Sequence, residues 1–150
     1  MAHSFADLLV HVVFSTKRRE PLLTPDIRPR LLAYMGGIIG GLDCVPVLIN
    51  GPVDHVHALV ELSTKTALAN LLRELKGDST AWVHATFPAH RGFAWQTGYA
   101  AFSVSESMRE RVRAYIARQE EHHRRATFQE EYVRLLKKHG VAYDPRFVFD

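Results

Sequence analysis

Cysteine is nearly missing from this 150-residue chain: Cys44 stands alone. One thiol cannot build an intrachain disulfide framework or a cysteine-based zinc site. A reducing cytoplasm is the expected home. Long apolar runs are missing too, and none approaches the roughly 20 residues of a membrane span. The first residues, MAHSFADLLVHVVFSTKRR, have no basic stretch ahead of their short apolar run, so no signal peptide is expected. Neither sign of charge dominates. There are 19 Lys and Arg against 16 Asp and Glu, a net charge of +3. That suits an acidic partner such as nucleic acid without selecting one. Repeats, low-complexity tracts and linkers are also absent. The length is that of one domain with a real core. The expectation is a single domain over 1–150, with a core over about 1–123 and a C-terminal helix and tail over about 124–150.

What is present alternates between two periods. LLVHVVFS (8–15), DCVPVLIN (43–50), 53–62 and AWQTGYAAFS (94–103) are β-branched, aromatic or apolar and predict strands. Pro46 suggests an edge strand or a bulge in the second of these. Asn50-Gly51 predicts a turn, lengthened by Pro52. Thr24-Pro25 predicts a helix start, ended by glycine at about Gly36 or Gly40. Leu68, Leu71, Leu72, Leu75, Trp82 and Val83 fall at helical spacing and predict a helix over about 65–86. Another helix is expected over about 105–123. A last one should start at the capping box Thr127-Phe-Gln-Glu130 and stop at Gly140, followed by a docking aromatic tail. The order β-α-β-β-α-β with appended helices predicts an α+β fold. It is the ferredoxin-like, RRM-like split βαβ plan: an antiparallel sheet with two helices on one face. The other face is open unless the C-terminal helices cover it.

Against that plan, GPVDHVHALVEL (51–62) stands out. It is among the most apolar segments, yet it carries His55 and His57. Alternation puts His55, His57, Leu59 and Glu61 on one face and Val56, Ala58, Val60 and Leu62 on the other. The second set is uniformly apolar and should pack on the two helices. The histidines then lie on the opposite face, where two imidazoles can converge on one cation. A pair of hydrogen-bonded structural histidines has the same pattern. In the 105–123 segment, Met108, Val112, Tyr115, Ile116 and Gln119 form an inward stripe, and Tyr115 and Gln119 are one turn apart. On their own they are a core tyrosine and a boundary amide. Together with two histidines they gain a chemical meaning. Two imidazoles and an amide oxygen can hold a divalent cation that polarises a phosphodiester for attack by a tyrosine oxygen.

DHVH, followed by a helix bearing Tyr-Ile-x-x-Gln, resembles the single-tyrosine HUH transposases. That family includes the insertion sequence 200/605 transposases and the repeat-associated tyrosine transposases. The resemblance continues through HVVFSTKRREPLL, LLRELKGDSTAWV and WQTGYAAFSVS, in order and over nearly the whole chain. It implies that His55, His57 and Gln119 are metal ligands for Mg²⁺ or Mn²⁺ and that Tyr115 is the nucleophile. It implies cleavage and rejoining of single-stranded DNA with hairpin or palindromic ends, through a 5′-phosphotyrosine. It also implies a homodimer acting in the cytoplasm at the nucleoid. The stretch from His122 onward is longer than a minimal catalytic core needs.

Other residues carry weaker signals. Lys17, Arg18, Arg19, Arg73 and Lys76 are candidate DNA contacts, or ordinary solvated cations. His122 and His123, in the run HHRR, suit a helix C-terminus or an anion. His11 should lie on the sheet near the site. Trp82 and Trp95 suit the core. Three rivals remain: a non-catalytic RRM-like binding module, a domesticated repeat-processing relative, and a metal-dependent hydrolase that uses water.

Overall fold

The computed structural model describes residues 3–150. A four-stranded antiparallel sheet has the order β2-β3-β1-β4, from β1 (Leu9–Ser15), β2 (Val45–Asn50), β3 (His55–Glu61) and β4 (Ala100–Val104). The two central strands, β1 and β3, pair over their full length, from Leu9 opposite Glu61 to Ser15 opposite His55. Helices α1 (Arg28–Gly41) and α2 (Leu68–Thr86) cover one face. Their core joins Leu31, Met35, Leu71, Leu72 and Leu75 to Val12, Phe14, Val56, Ala58 and Val60 of the central strands. This is the split βαβ plan, and the alternation of β3 falls as its pattern predicts.

The second face is not open. Helices α3 (Arg109–Ala117), α4 (Gln119–His122) and α5 (Phe128–Lys138) lie over it. Phe128, Tyr132, Leu135 and Leu136 of α5 bury against Val13, Ala100 and Phe102, while Ile116 of α3 buries against Leu9 and Leu59. The tail docks as expected. Phe149 packs near Phe128 and Tyr132, and the Asp150 carbonyl accepts from Gly98 N and Gln96 Nε2.

Several boundaries shift. The first helix begins at Arg28, because Thr24 to Ile27 form a turn whose Thr24 carbonyl accepts from Ile27 N and Arg28 N. It runs on through Gly36 and Gly40 to Gly41. Strand β2 starts at Val45 and slips register between Pro46 and Leu48, as an edge proline allows. The fourth strand is shorter than expected: residues 94–96 still hydrogen-bond beside the end of β1, but the ladder lapses before Ala100, where Lys76 Nζ donates to the carbonyls of Gln96, Thr97 and Gly98. Trp95 is buried and donates to Ser79, but Trp82 is only half-buried and stacks on Tyr34.

The most consequential shift is in the expected 105–123 helix. It breaks at Arg118 (φ −101°, ψ 21°), between α3 and α4. Asn50 Nδ2 donates to the Ile116 carbonyl at 2.9 Å and helps hold the end of α3 against the sheet. The turn at 51–54 is equally constrained. A Cβ on Gly51 would lie 2.1 Å from the His55 carbonyl oxygen, so only glycine lets the chain pass this close to the first histidine.

Candidate active site

His55 and His57 point from β3 into the covered face and are fully buried. Tyr115 and Gln119 reach the same place from α3 and α4. At the centre stands a residue that the sequence reading did not select, Glu131 in the first turn of α5. Its Oε1 lies 3.2 Å from His55 Nε2, 2.9 Å from His57 Nε2 and 3.0 Å from His123 Nε2. Its Oε2 accepts a hydrogen bond from the Tyr115 hydroxyl and lies 3.3 Å from both Gln119 Nε2 and His122 Nε2. One fully buried carboxylate thus joins the imidazole cluster to the tyrosine.

The imidazoles are oriented from behind. His55 Nδ1 donates to the Asp54 carboxylate at 2.8 Å, and His123 Nδ1 donates to the Ala126 carbonyl at 2.8 Å. Both partners accept only, so in the neutral rings the Nε2 lone pairs face the Glu131 oxygen. His57 Nδ1 lies 2.8 Å from Nε2 of His11, whose ring stacks on it at 5.0 Å. His11, buried on β1, therefore stands behind the site. His55 Nε2 has no hydrogen-bond partner despite its full burial. Lone pairs facing a carboxylate need protons or a cation between them. His55, His57, His123 and Glu131 each offer a ligand atom, all within 4.8 Å of one another, and this donor set fits a divalent metal.

The electrostatics are those of a cluster of ionisable groups whose centre is buried. Burial is the main force pushing His57 down to about 4 and His11 to about 3, with the neighbouring imidazole adding to the effect on His11. Burial also opposes charge on His55, but Asp54 and Glu131 outweigh it and raise its pKa. Burial alone would raise the Glu131 carboxyl. The nearby His123, His55 and His57 instead hold it far below the usual carboxylate range. Burial and then the Glu131 charge push the Tyr115 phenol well above its ordinary value.

The other expected residues are distributed differently. Gln119 is buried in the site, but its Oε1 lies 3.0 Å from His123 Nε2 and its amide nitrogen faces Glu131. His122 and His123 belong to the site rather than to a solvated helix end: the break at Arg118 turns them toward Glu131. Lys17, Arg18 and Arg19 form an exposed turn just past the His55 end of β1. Arg18 (φ 56°) and Arg19 (φ 57°) are left-handed, a conformation uncommon outside glycine. Arg73 is exposed on α2. Lys76 is not on an exposed polar face; its ammonium is held by the 96–98 carbonyls. An RRM-like platform is also ruled out, because the face that would stack bases lies under α3 and α5.

Glu131 did leave a trace in the sequence. Phe128, Glu131, Tyr132, Leu135 and Leu136 follow the i, i+3, i+4, i+7, i+8 rule of a buried helical stripe, and one of the five is an acid.

A split βαβ sheet with two inward histidines on a central strand, faced by a tyrosine from a following helix, has the layout of a single-tyrosine transposase. The family model described as "Transposase IS200 like" matches residues 4–119, and the chain belongs to that family. The ISDra2 transposase TnpA of Deinococcus radiodurans is 24% identical over 114 residues, covering 73% of this chain and 81% of that protein. A crystal structure of a transposase from Deinococcus radiodurans R1 superposes with a TM-score of 0.64 at 23% identity, over 79% of this chain and 95% of that one. A REP-associated tyrosine transposase bound to a REP hairpin superposes with a TM-score of 0.53 at 14% identity, over 79% of this chain and 68% of that one. The family match ends at Gln119, so His122, His123 and Glu131 all lie beyond it.

Proposed function

We propose that this chain cleaves and rejoins single-stranded DNA beside hairpin or palindromic ends, through a covalent 5′-phosphotyrosine at Tyr115. The observation that carries the proposal is the shared carboxylate: Glu131 touches both histidines of β3 and the Tyr115 hydroxyl. A phosphodiester beside that phenol would therefore also lie beside the imidazole cluster. The hairpin carried by the REP-associated relative supports the choice of substrate.

His55 and His57 would hold a Mg²⁺ or Mn²⁺ ion, with His123 and Glu131 within reach and Gln119 behind them. When bound, such an ion polarises the scissile phosphate and neutralises developing charge. The remaining work falls to the chain. The Tyr115 oxygen forms a bond to phosphorus while the bond from phosphorus to the 3′-oxygen breaks. The half-buried phenol gives its proton to water, and the 3′-oxygen takes a proton from water and leaves as a hydroxyl. Attack by a 3′-hydroxyl on the phosphotyrosine reverses these steps and rejoins the strand.

A second copy of the chain completes the proposal, pairing along one of the outer strands, β2 or β4. Light scattering should give a dimer mass.

Trapping tests the chemistry. Incubation with Mn²⁺ and a labelled single-stranded hairpin oligonucleotide should give a denaturation-resistant adduct, with the label on the peptide bearing Tyr115. Cleavage without an adduct would favour water as nucleophile and defeat the proposal.

A further inference from the structure

The inner side of the Tyr115 ring packs on His11 and His57, with centroids 6.3 and 5.8 Å away. Its outer side lines a cleft of about 500 Å³ together with Arg111, Arg118, Glu121, His122 and Arg125. The three arginines recur every seventh residue along α3, across the break at Arg118 and into the turn after α4. Seven helical residues advance about 10 Å, so Arg111 and Arg118 are spaced along the cleft rather than clustered at one point. All three are exposed or nearly so, and none makes an ion pair among the described residues. Arg28 and Arg109, by contrast, are paired with Glu120 and with Glu61 and Glu106. Glu121 is the one acidic lining residue. A row of unneutralised guanidinium groups with the nucleophile on its wall matches the charge of an extended polyanion.

We infer that this cleft is the track of the substrate strand, in which Arg111, Arg118 and Arg125 bind backbone phosphates flanking the one presented to Tyr115. The inference rests on the proposed nucleophilic role of Tyr115 and adds the path by which the strand reaches it. Guanidinium contacts to phosphate position the strand without reading its bases, so this track is indifferent to sequence. It is also distinct from the basic turn at 17–19, which lies past the end of β1.

The test is the salt dependence of binding to a fluorescent single-stranded oligodeoxynucleotide, followed by anisotropy in chelator so that no cleavage occurs. Each phosphate contact contributes about 0.7 to the slope of log K against log salt on single strands. The triple variant Arg111→Gln, Arg118→Gln, Arg125→Gln should therefore lose about 2 from the slope. Arg113→Gln, on the same helix but outside the cleft lining, should keep the wild-type slope. If the triple variant misfolds, the single variants should each lose about 0.7. An unchanged slope in the triple variant, or a wild-type chain that does not bind the strand, overturns the inference. The adduct assay separates this from failure of the parent proposal. Wild-type adduct with an unchanged triple-variant slope defeats only the track, whereas no wild-type adduct defeats the nucleophile.

Discussion

Glu131 Oε1 lies 2.9 Å from His57 Nε2, joining α5 to the central strand across 74 residues of chain. The contact brings a residue from outside the family-matched span into the middle of the site. If Glu131 is a ligand, ion binding and docking of α5 are one event. Mn²⁺ at about 100 times its Kd should then stabilise the wild type by roughly 2.7 kcal/mol, reversibly with chelator. Glu131→Gln keeps the side-chain size but removes the charge, and it should lose most of that gain. Thermal denaturation with and without Mn²⁺ measures the difference. An equal shift in both proteins would place the ion elsewhere.

His11 should act through His57. Its ring nitrogen fixes the orientation of His57 from behind, as outer-shell partners of metal ligands do. His11→Phe fills the space but cannot hydrogen-bond. Ion affinity, measured by competition with a chelating dye, should fall by about 10- to 100-fold. Unchanged affinity would reduce His11 to a packing residue.

The sequence showed part of this and concealed the rest, for identifiable reasons. Alternation along HVHALVE was enough to separate the faces of β3, because a strand's period is fixed by its backbone. Tyr115 and Gln119 stand out as candidates because they sit one turn apart at inward positions. The break at Arg118 has no mark in the sequence: nothing in RERVRAYIARQEEHH interrupts helical spacing, and the backbone alone shows it (φ −101°, ψ 21°). With it went the placement of His122 and His123. Glu131 was hidden by its neighbour Glu130, which fits a capping box and made both acids look like ordinary first-turn charges. Lys76 looked solvent-facing on the helix period alone, since its partners at 96–98 come from a distant loop.

Lys76 yields a prediction about stability. Burial pushes its ammonium down to about 8, against 10.5 in the unfolded chain. Between those values the unfolded chain binds more protons, so this group makes stability rise with pH across the window, and the gain is lost as pH falls toward 8. Lys76→Met should flatten that slope. Losing the donor to three carbonyls should also cost about 1–3 kcal/mol near neutral pH. Urea denaturation at pH 7, 8, 9 and 10 checks both points. A variant as stable as wild type, with weaker strand binding, would return Lys76 to the DNA surface.

Tyr115→Phe removes one oxygen from a half-buried ring and leaves its packing on His11 and His57 intact. The hydroxyl has one firm partner, Glu131, which keeps its contacts to His57 and His123 when that donor is lost. Fold and ion binding should therefore survive. The arginine-lined cleft is untouched, so single-strand affinity and its salt slope should match wild type. Strand cleavage and the covalent adduct should vanish together, because both need the same bond from oxygen to phosphorus. Gel assays of cleavage and adduct on one hairpin oligonucleotide measure the two in parallel. If Tyr115→Phe cuts at the wild-type rate and forms no adduct, water is the nucleophile, and the Glu131 contact to Tyr115 is only a structural hydrogen bond.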